Sequence, residues 1–182
     1  HPGFAEKDCA KCHAAGQPPG PKTTIAPVAQ LCIRCHNVSK PKTPTATVHP
    51  PLKVGACLLC HTPHASSREG LLLAEPRRLC KTCHAQIAKQ ASMSHGHPPA
   101  AKGECISCHE PHQSAGPNLL KQKPTELCGK CHTDLMKRIA AGKAHPPVAM
   151  GMCLTCHAGH GSDNPGMTRQ AGAALCTNCH SI

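Results

Sequence analysis

Apolar residues come in short groups along this chain and never build a long run. The longest are triplets such as Leu71-Leu72-Leu73, far below the ~20 apolar residues a membrane-spanning helix needs, so no transmembrane segment of its own is predicted. Helical periodicity shows in two places. Leu127, Leu135, Met136 and Ile139 fall on one face of a run that Thr125 can cap, and residues 77–91 form a weaker analogue. Pro-rich stretches such as 17–27 and 40–51 predict extended linkers. Regular structure is therefore expected to be sparse.

Composition explains why. Phe4 is the only aromatic residue among 182, with no Trp or Tyr, while 16 Cys, 16 His, 19 Pro and 15 Gly fill much of the chain. So little bulky apolar surface cannot offset the entropy of ordering, and the core must come from something other than side chains. The net charge of +11 would suit nucleic acid or a membrane surface. Yet no basic run exceeds Arg77-Arg78, and no aromatic platforms are present on which bases would stack. No nucleic-acid partner is expected, and part of the charge balances an anionic cofactor. With no visible signal peptide and a start at His1-Pro2-Gly3, the chain reads as processed and mature.

All sixteen cysteines fall into eight Cys-x-x-Cys pairs, each followed at once by His. The pairs are Cys9 with Cys12, Cys32 with Cys35, Cys57 with Cys60, Cys80 with Cys83, Cys105 with Cys108, Cys128 with Cys131, Cys153 with Cys156 and Cys176 with Cys179. The histidines are His13, His36, His61, His84, His109, His132, His157 and His180. A disulfide scaffold, a zinc ribbon and a disulfide oxidoreductase all use closely spaced cysteines. None gives a reason for His after every pair. Covalent attachment of haem c does: two thiols add to the porphyrin vinyl groups and the adjoining imidazole reaches the iron. In a helical turn residues i, i+3 and i+4 share a face, so all three groups meet one ring. Eight motifs predict eight covalently bound haems.

The motifs recur with a period of 48 residues, giving four repeats at 1–48, 49–96, 97–144 and 145–182 within a single octahaem domain. His1, His49, His97 and His145 each precede their first cysteine by eight residues. Gly55, Gly103 and Gly151 sit two before it, and His64, His112 and His160 follow the first motif. Gly16 stands where the first repeat lacks that last histidine.

The pieces HPPAAKGECISCHEPHQS and LCGKCH resemble the unit of the multihaem c-type cytochromes built from doubled Cys-x-x-Cys-His motifs. The resemblance covers the whole chain as four units, the first degenerate at Gly16. It implies a multihaem cytochrome c fold with little regular secondary structure, a few short helices and four dihaem repeats wrapped round a haem chain. It also implies low-potential electron transfer outside the cytoplasm, in periplasmic carriers, in wires held in outer-membrane porins, or in extracellular filaments.

Eight histidines remain beyond the proximal set: His1, His49, His64, His95, His97, His112, His145 and His160. Seven hold the repeat phase and are candidate distal iron ligands; with His95 they would make every haem bis-histidine. His95 is out of phase. It either replaces the ligand missing at Gly16 or merely sits beside His97. His112 follows His109 too closely to reach the far face of the same porphyrin, so it must serve another haem; which one is not readable from spacing. Pro63 and Pro111 stiffen that link.

About 23 residues per haem leave little protein between rings, so closely spaced haems are expected to form a continuous path. Two imidazoles close each iron to substrates, which favours electron transfer over catalysis. The expected function is therefore non-enzymatic electron transport in a periplasmic or extracellular chain, with redox proteins or extracellular acceptors as partners and a homopolymer as one arrangement. A porin-held or periplasmic carrier is the alternative. A multihaem reductase of nitrogen compounds is the other, and it would need an open iron.

Overall fold

The computed structural model describes residues 1–16, 23–38 and 40–181, so residues 17–22 of the first expected linker lie outside the described set. The chain forms two compact units, residues 1–75 with 110–119, and residues 76–109 with 120–182. The expected few short helices with little regular structure are what the chain forms. Its helices run from four to eight residues, and the strands are pairs of residues.

Each repeat begins with a helical turn. Pro2–Ala5, Pro50–Lys53, Pro98–Lys102 and Pro146–Ala149 all start on the proline after His1, His49, His97 and His145. Proline suits the first turn because its fixed φ is already helical and its missing N–H would have no partner there. The carbonyls of His49, His97 and His145 accept the first i+4 bonds of their turns, from Lys53, Ala101 and Ala149. The predicted extended path over 40–51 therefore ends differently from expectation, in the strand β1 (Thr47–Val48) and the start of a helical turn.

The long helix expected to begin at Thr125 is two helices, Pro124–Gly129 and Thr133–Ala140. Lys123 precedes the first, and no side chain caps it. The break is the motif itself. His132 closes a turn onto the Cys128 carbonyl at 2.9 Å, then leaves helical geometry at φ −91°, ψ 53°. Residues 77–91 divide for the same reason, into Pro76–Lys81 and Ala85–Gln90 around His84 at φ −102°, ψ 45°.

Within the first unit, β1 pairs antiparallel with β3 (Gln113–Ser114), Val48 opposite Gln113. In the second, β2 (His95–Gly96) pairs with β4 (Gly161–Ser162), Gly96 opposite Gly161. Gln113 is buried; its amide donates to the carbonyls of Val38 and Lys40, and its oxygen accepts from the Lys42 N–H. The corresponding Gly161 has no room for a side chain, because a Cβ there would run into the Gln90 carbonyl and Gly96. Asp163 instead ties this pair down, accepting from the N–H and hydroxyl of Ser94.

Among the described residues the buried apolar side chains are Val48, Ala91 and Leu120, and none is fully enclosed. Large apolar side chains lie exposed beside the motifs, among them Ile33, Val54, Leu58, Leu59, Ile106 and Met152.

Candidate haem-binding sites

Every motif makes the same turn. In all eight the histidine N–H donates to the carbonyl of the first cysteine four residues back, at 2.9–3.1 Å. That bond closes one helical turn over each motif, the local geometry the sequence reading asks of it. None of the sixteen cysteines is tied up in a disulfide, so all are in the state that can add to vinyl groups. The two motif classes differ at their second thiol. Cys12, Cys60, Cys108 and Cys156 of the first motifs are half-buried, whereas Cys35, Cys83, Cys131 and Cys179 of the second motifs are exposed.

The first motif of each repeat is a tight turn (Cys9–Lys11, Cys57–Leu59, Cys105–Ser107, Cys153–Cys156) clamped by a bridge eleven residues on. His13, His61, His109 and His157 pair with Thr24, Leu72, Leu120 and Thr168. The amides of Ile25, Leu73, Lys121 and Arg169 then donate to the carbonyls of Cys12, Cys60, Cys108 and Cys156, the four half-buried second cysteines. The intervening bend passes through left-handed residues, Gly70 with Leu71 and Gly166 with Met167, and it carries a carbonyl back to the imidazole. His61 Nδ1 lies 2.6 Å from the Gly70 carbonyl and His157 Nδ1 2.8 Å from that of Gly166. A carbonyl can only accept, so Nδ1 carries the proton and Nε2 is left as the ligand nitrogen. The sequence reading missed this clamp, although Gly70 and Gly166 stand two periods apart.

Second motifs sit at or near the end of an α-helix (Val28–Ile33, Pro76–Lys81, Pro124–Gly129, Ala173–Cys176). Their histidines His36, His84, His132 and His180 are exposed, whereas His13, His61 and His109 are half-buried. Each unit packs a second-motif helix directly on the following first motif. In the first unit the Cys32 thiol is within hydrogen-bonding reach of Cys57, and in the second Cys128 is within reach of Cys153. Burial, and then these neighbouring thiols, push the Cys32 and Cys128 thiols up; burial, and then Cys131, do the same to Cys108.

That packing accounts for the in-phase glycines. Gly55, Gly103 and Gly151 have φ of +69°, +80° and +74°, and a Cβ on them would collide with Ala29, Arg77 and Thr125, themselves 48 residues apart. Lys7 takes the same place in the first repeat. It keeps the left-handed φ of 58°, and its carbonyl accepts from the Cys9 thiol as those of Gly55 and Gly103 accept from Cys57 and Cys105. Its side chain is exposed.

The spare histidines are brought to the motif histidines under two rules. First-motif rings face a ring from the next repeat: His13 meets His64, His61 meets His112 and His109 meets His160, with centroids 6.0, 5.8 and 6.0 Å apart. Second-motif rings face the histidine that opens their own repeat: His36 meets His1, His132 meets His97 and His180 meets His145, at 6.2, 6.3 and 5.9 Å. Two imidazoles on opposite sides of one metal, each at a bond of about 2.0–2.1 Å, bring their centroids to roughly the same separation. The residues present therefore fit bis-histidine haem. In the second repeat, His49 belongs to the first unit and His84 to the second.

The junctions are pinned by backbone. The amino group of His1 donates to the His64 carbonyl, and the amides of His49 and His97 donate to those of His112 and His160. Burial, and then the facing His61, lower the pKa of His112; burial and His109 act likewise on His160, and burial and His132 on His97. A neutral ring is the form that binds metal. His97 also donates to the Gly159 carbonyl.

Two single residues left open by the spacing are placed. Gly16 leaves its own motif with a facing ring, since His13 faces His64. His95 lies exposed on β2 near Asp163, and its ring is brought to no motif histidine.

Among the described residues no three His, Cys, Asp or Glu side chains gather to hold a bare metal ion, and no helix is long and apolar enough to cross a membrane. No curated protein matches the chain. The doubled CXXCH motif family matches at residues 1–41, 49–89, 97–137 and 145–181, each match starting on the histidine that opens a repeat. With eight one-turn motifs and their facing histidines inside those segments, the chain belongs to the doubled CXXCH motif family, multihaem c-type cytochromes that carry covalently bound haem c and transfer electrons.

Proposed function

We propose that this protein is an octahaem electron carrier working outside the cytoplasm, passing electrons to redox proteins or extracellular acceptors. The observation that carries the reading is the set of six facing ring pairs, centroids 5.8–6.3 Å apart, each joining a motif histidine to a spare one. Bound haem c supplies an iron that changes oxidation state by one electron. The chain's own residues do the rest. Paired imidazoles favour a low potential and shut out substrate, which supports transfer over catalysis. Packed motifs bring Cys32 to Cys57 and Cys128 to Cys153, which supports short separations between neighbouring rings. The c-type cytochromes are generally exported, which supports placement outside the cytoplasm.

Intact mass tests the cofactor count, and anything other than eight haem additions contradicts it. Visible and electron-paramagnetic spectra test the ligation, with low-spin iron at every facing pair expected. An end-to-end homopolymer is part of the same proposal. Strictly monomeric sedimentation at high concentration would remove the polymer.

A further inference from the structure

The two residues between the cysteines divide the motifs into two kinds. On a helical turn the cysteines and the histidine share a face, so those two residues are left on the outside of it. In first motifs they are chiefly apolar, and Lys11 is the one charged residue among them. Glu6 and Asp8 neutralise it, each 3.1 Å from its Nζ. Second motifs instead carry Arg34, Lys81 and Lys130, one in each of the first three repeats, and all three are exposed. Among the described residues none of these three takes part in a salt bridge, although Lys11, Arg68 and Lys137 do. Each stands one or two residues before an exposed second cysteine, Cys35, Cys83 or Cys131. The fourth second motif has Asn178 in that place, donating to Gln170.

Resting on the reading of this chain as an electron carrier, we propose that the turns bearing Arg34, Lys81 and Lys130 are seats for a small anionic electron acceptor. An anion held by one of these cations lies within one turn of backbone from the point of haem attachment. The exposed second cysteines leave that side open, whereas Cys12, Cys60, Cys108 and Cys156 of the first motifs are half-buried. A cation facing water concentrates anions beside it, and one already shared by two carboxylates does not. First motifs therefore relay electrons within the chain, and three of the second motifs exchange them with the surroundings.

The experiment mixes fully reduced holoprotein with hexacyanoferrate(III), which becomes hexacyanoferrate(II) as one electron leaves one iron, and follows oxidation by stopped flow. Tris(phenanthroline)cobalt(III) is the cationic comparison. In the triple variant Arg34→Glu, Lys81→Glu, Lys130→Glu the anion's rate should fall about tenfold at low salt while the cation's rises. Both differences should close in 1 M salt, where screening acts over about 3 Å. A control of equal net charge, Lys89→Glu with Lys102→Glu and Lys143→Glu, alters three exposed cations outside the motifs and should slow the anion less than about threefold. A cation at the end of a helix also steadies the helix, so binding is read separately. Redox-inert hexacyanochromate(III) should broaden the NMR signals of Arg34, Lys81 and Lys130 in the reduced protein more than those of Lys89, Lys102 and Lys143. Should the triple variant fail to load its haems, Lys130→Glu alone is read by the loss of broadening at its own turn. Equal slowing in the two triple variants overturns the proposal, and so does broadening no stronger at the three motif cations than at the control positions. Reduced protein that neither reagent oxidises would instead defeat the electron-carrier reading on which this rests.

Discussion

First and second motifs share one five-residue formula yet are built in opposite ways. A first motif is a lone turn held by a bridge, with a carbonyl on Nδ1 at His61 and His157, and His13, His61 and His109 are half-buried and face an imidazole from the next repeat. A second motif lies at or near the end of a helix, its histidine is exposed, and His36, His132 and His180 face a histidine from their own repeat. The formula thus fixes attachment alone. Long-range contacts decide how each site is completed, so the first sites knit repeats together while the second are local to one.

The largest expected effects come from removing the facing ring. His112→Ala should convert the iron at His61 from low to high spin, and His145→Ala the one at His180, each altering one haem in the spectrum. Added imidazole should restore low spin in both, faster in His145→Ala because His180 is exposed and His61 half-buried. Equal rates would erase the contrast drawn between the two classes. Next comes the close approach of helix to motif. Gly55→Ala puts a Cβ into Ala29 at a left-handed position and should cost about 2–4 kcal/mol in thermal or denaturant unfolding. Gln113→Ala leaves two carbonyls and an amide of the Val38–Lys42 segment without their buried partner, a loss of about 1–3 kcal/mol. Smaller still is Gly70→Ala. Its φ of +66° nearly equals that of Gly55, but nothing lies within 4 Å of the added Cβ, so about 1 kcal/mol is expected. Lys7→Gly, at a position already left-handed and exposed, should change stability by less than about 1 kcal/mol. If Gly55→Ala and Gly70→Ala cost the same, strain alone explains these glycines and the packing account fails.

The repeat, the motifs and the seven in-phase histidines were legible in the sequence because attachment chemistry depends on local spacing. The partners of those histidines were not. His112 and His61 lie fifty-one residues apart, and no local pattern distinguishes His61 from other irons within reach. Nor does spacing tell Cys60 from Cys83, the one half-buried and the other exposed. Helix prediction failed where it crossed a motif: Leu127 and Leu135 have helical spacing, but His132 spends its backbone freedom on aiming the imidazole. Which site the gap at Gly16 bears on was not legible either, because the register delivers a ring backwards to the preceding repeat.

That backward delivery sets a timetable for a chain that emerges N-terminus first. His1 is already waiting when the segment carrying His36 appears, and His145 when His180 does, so a second-motif site can close as soon as its own repeat is out. His13 must wait for His64, and His109 for His160. The first three repeats therefore each leave one motif histidine whose facing ring only the successor supplies, so every new segment locks the one before it.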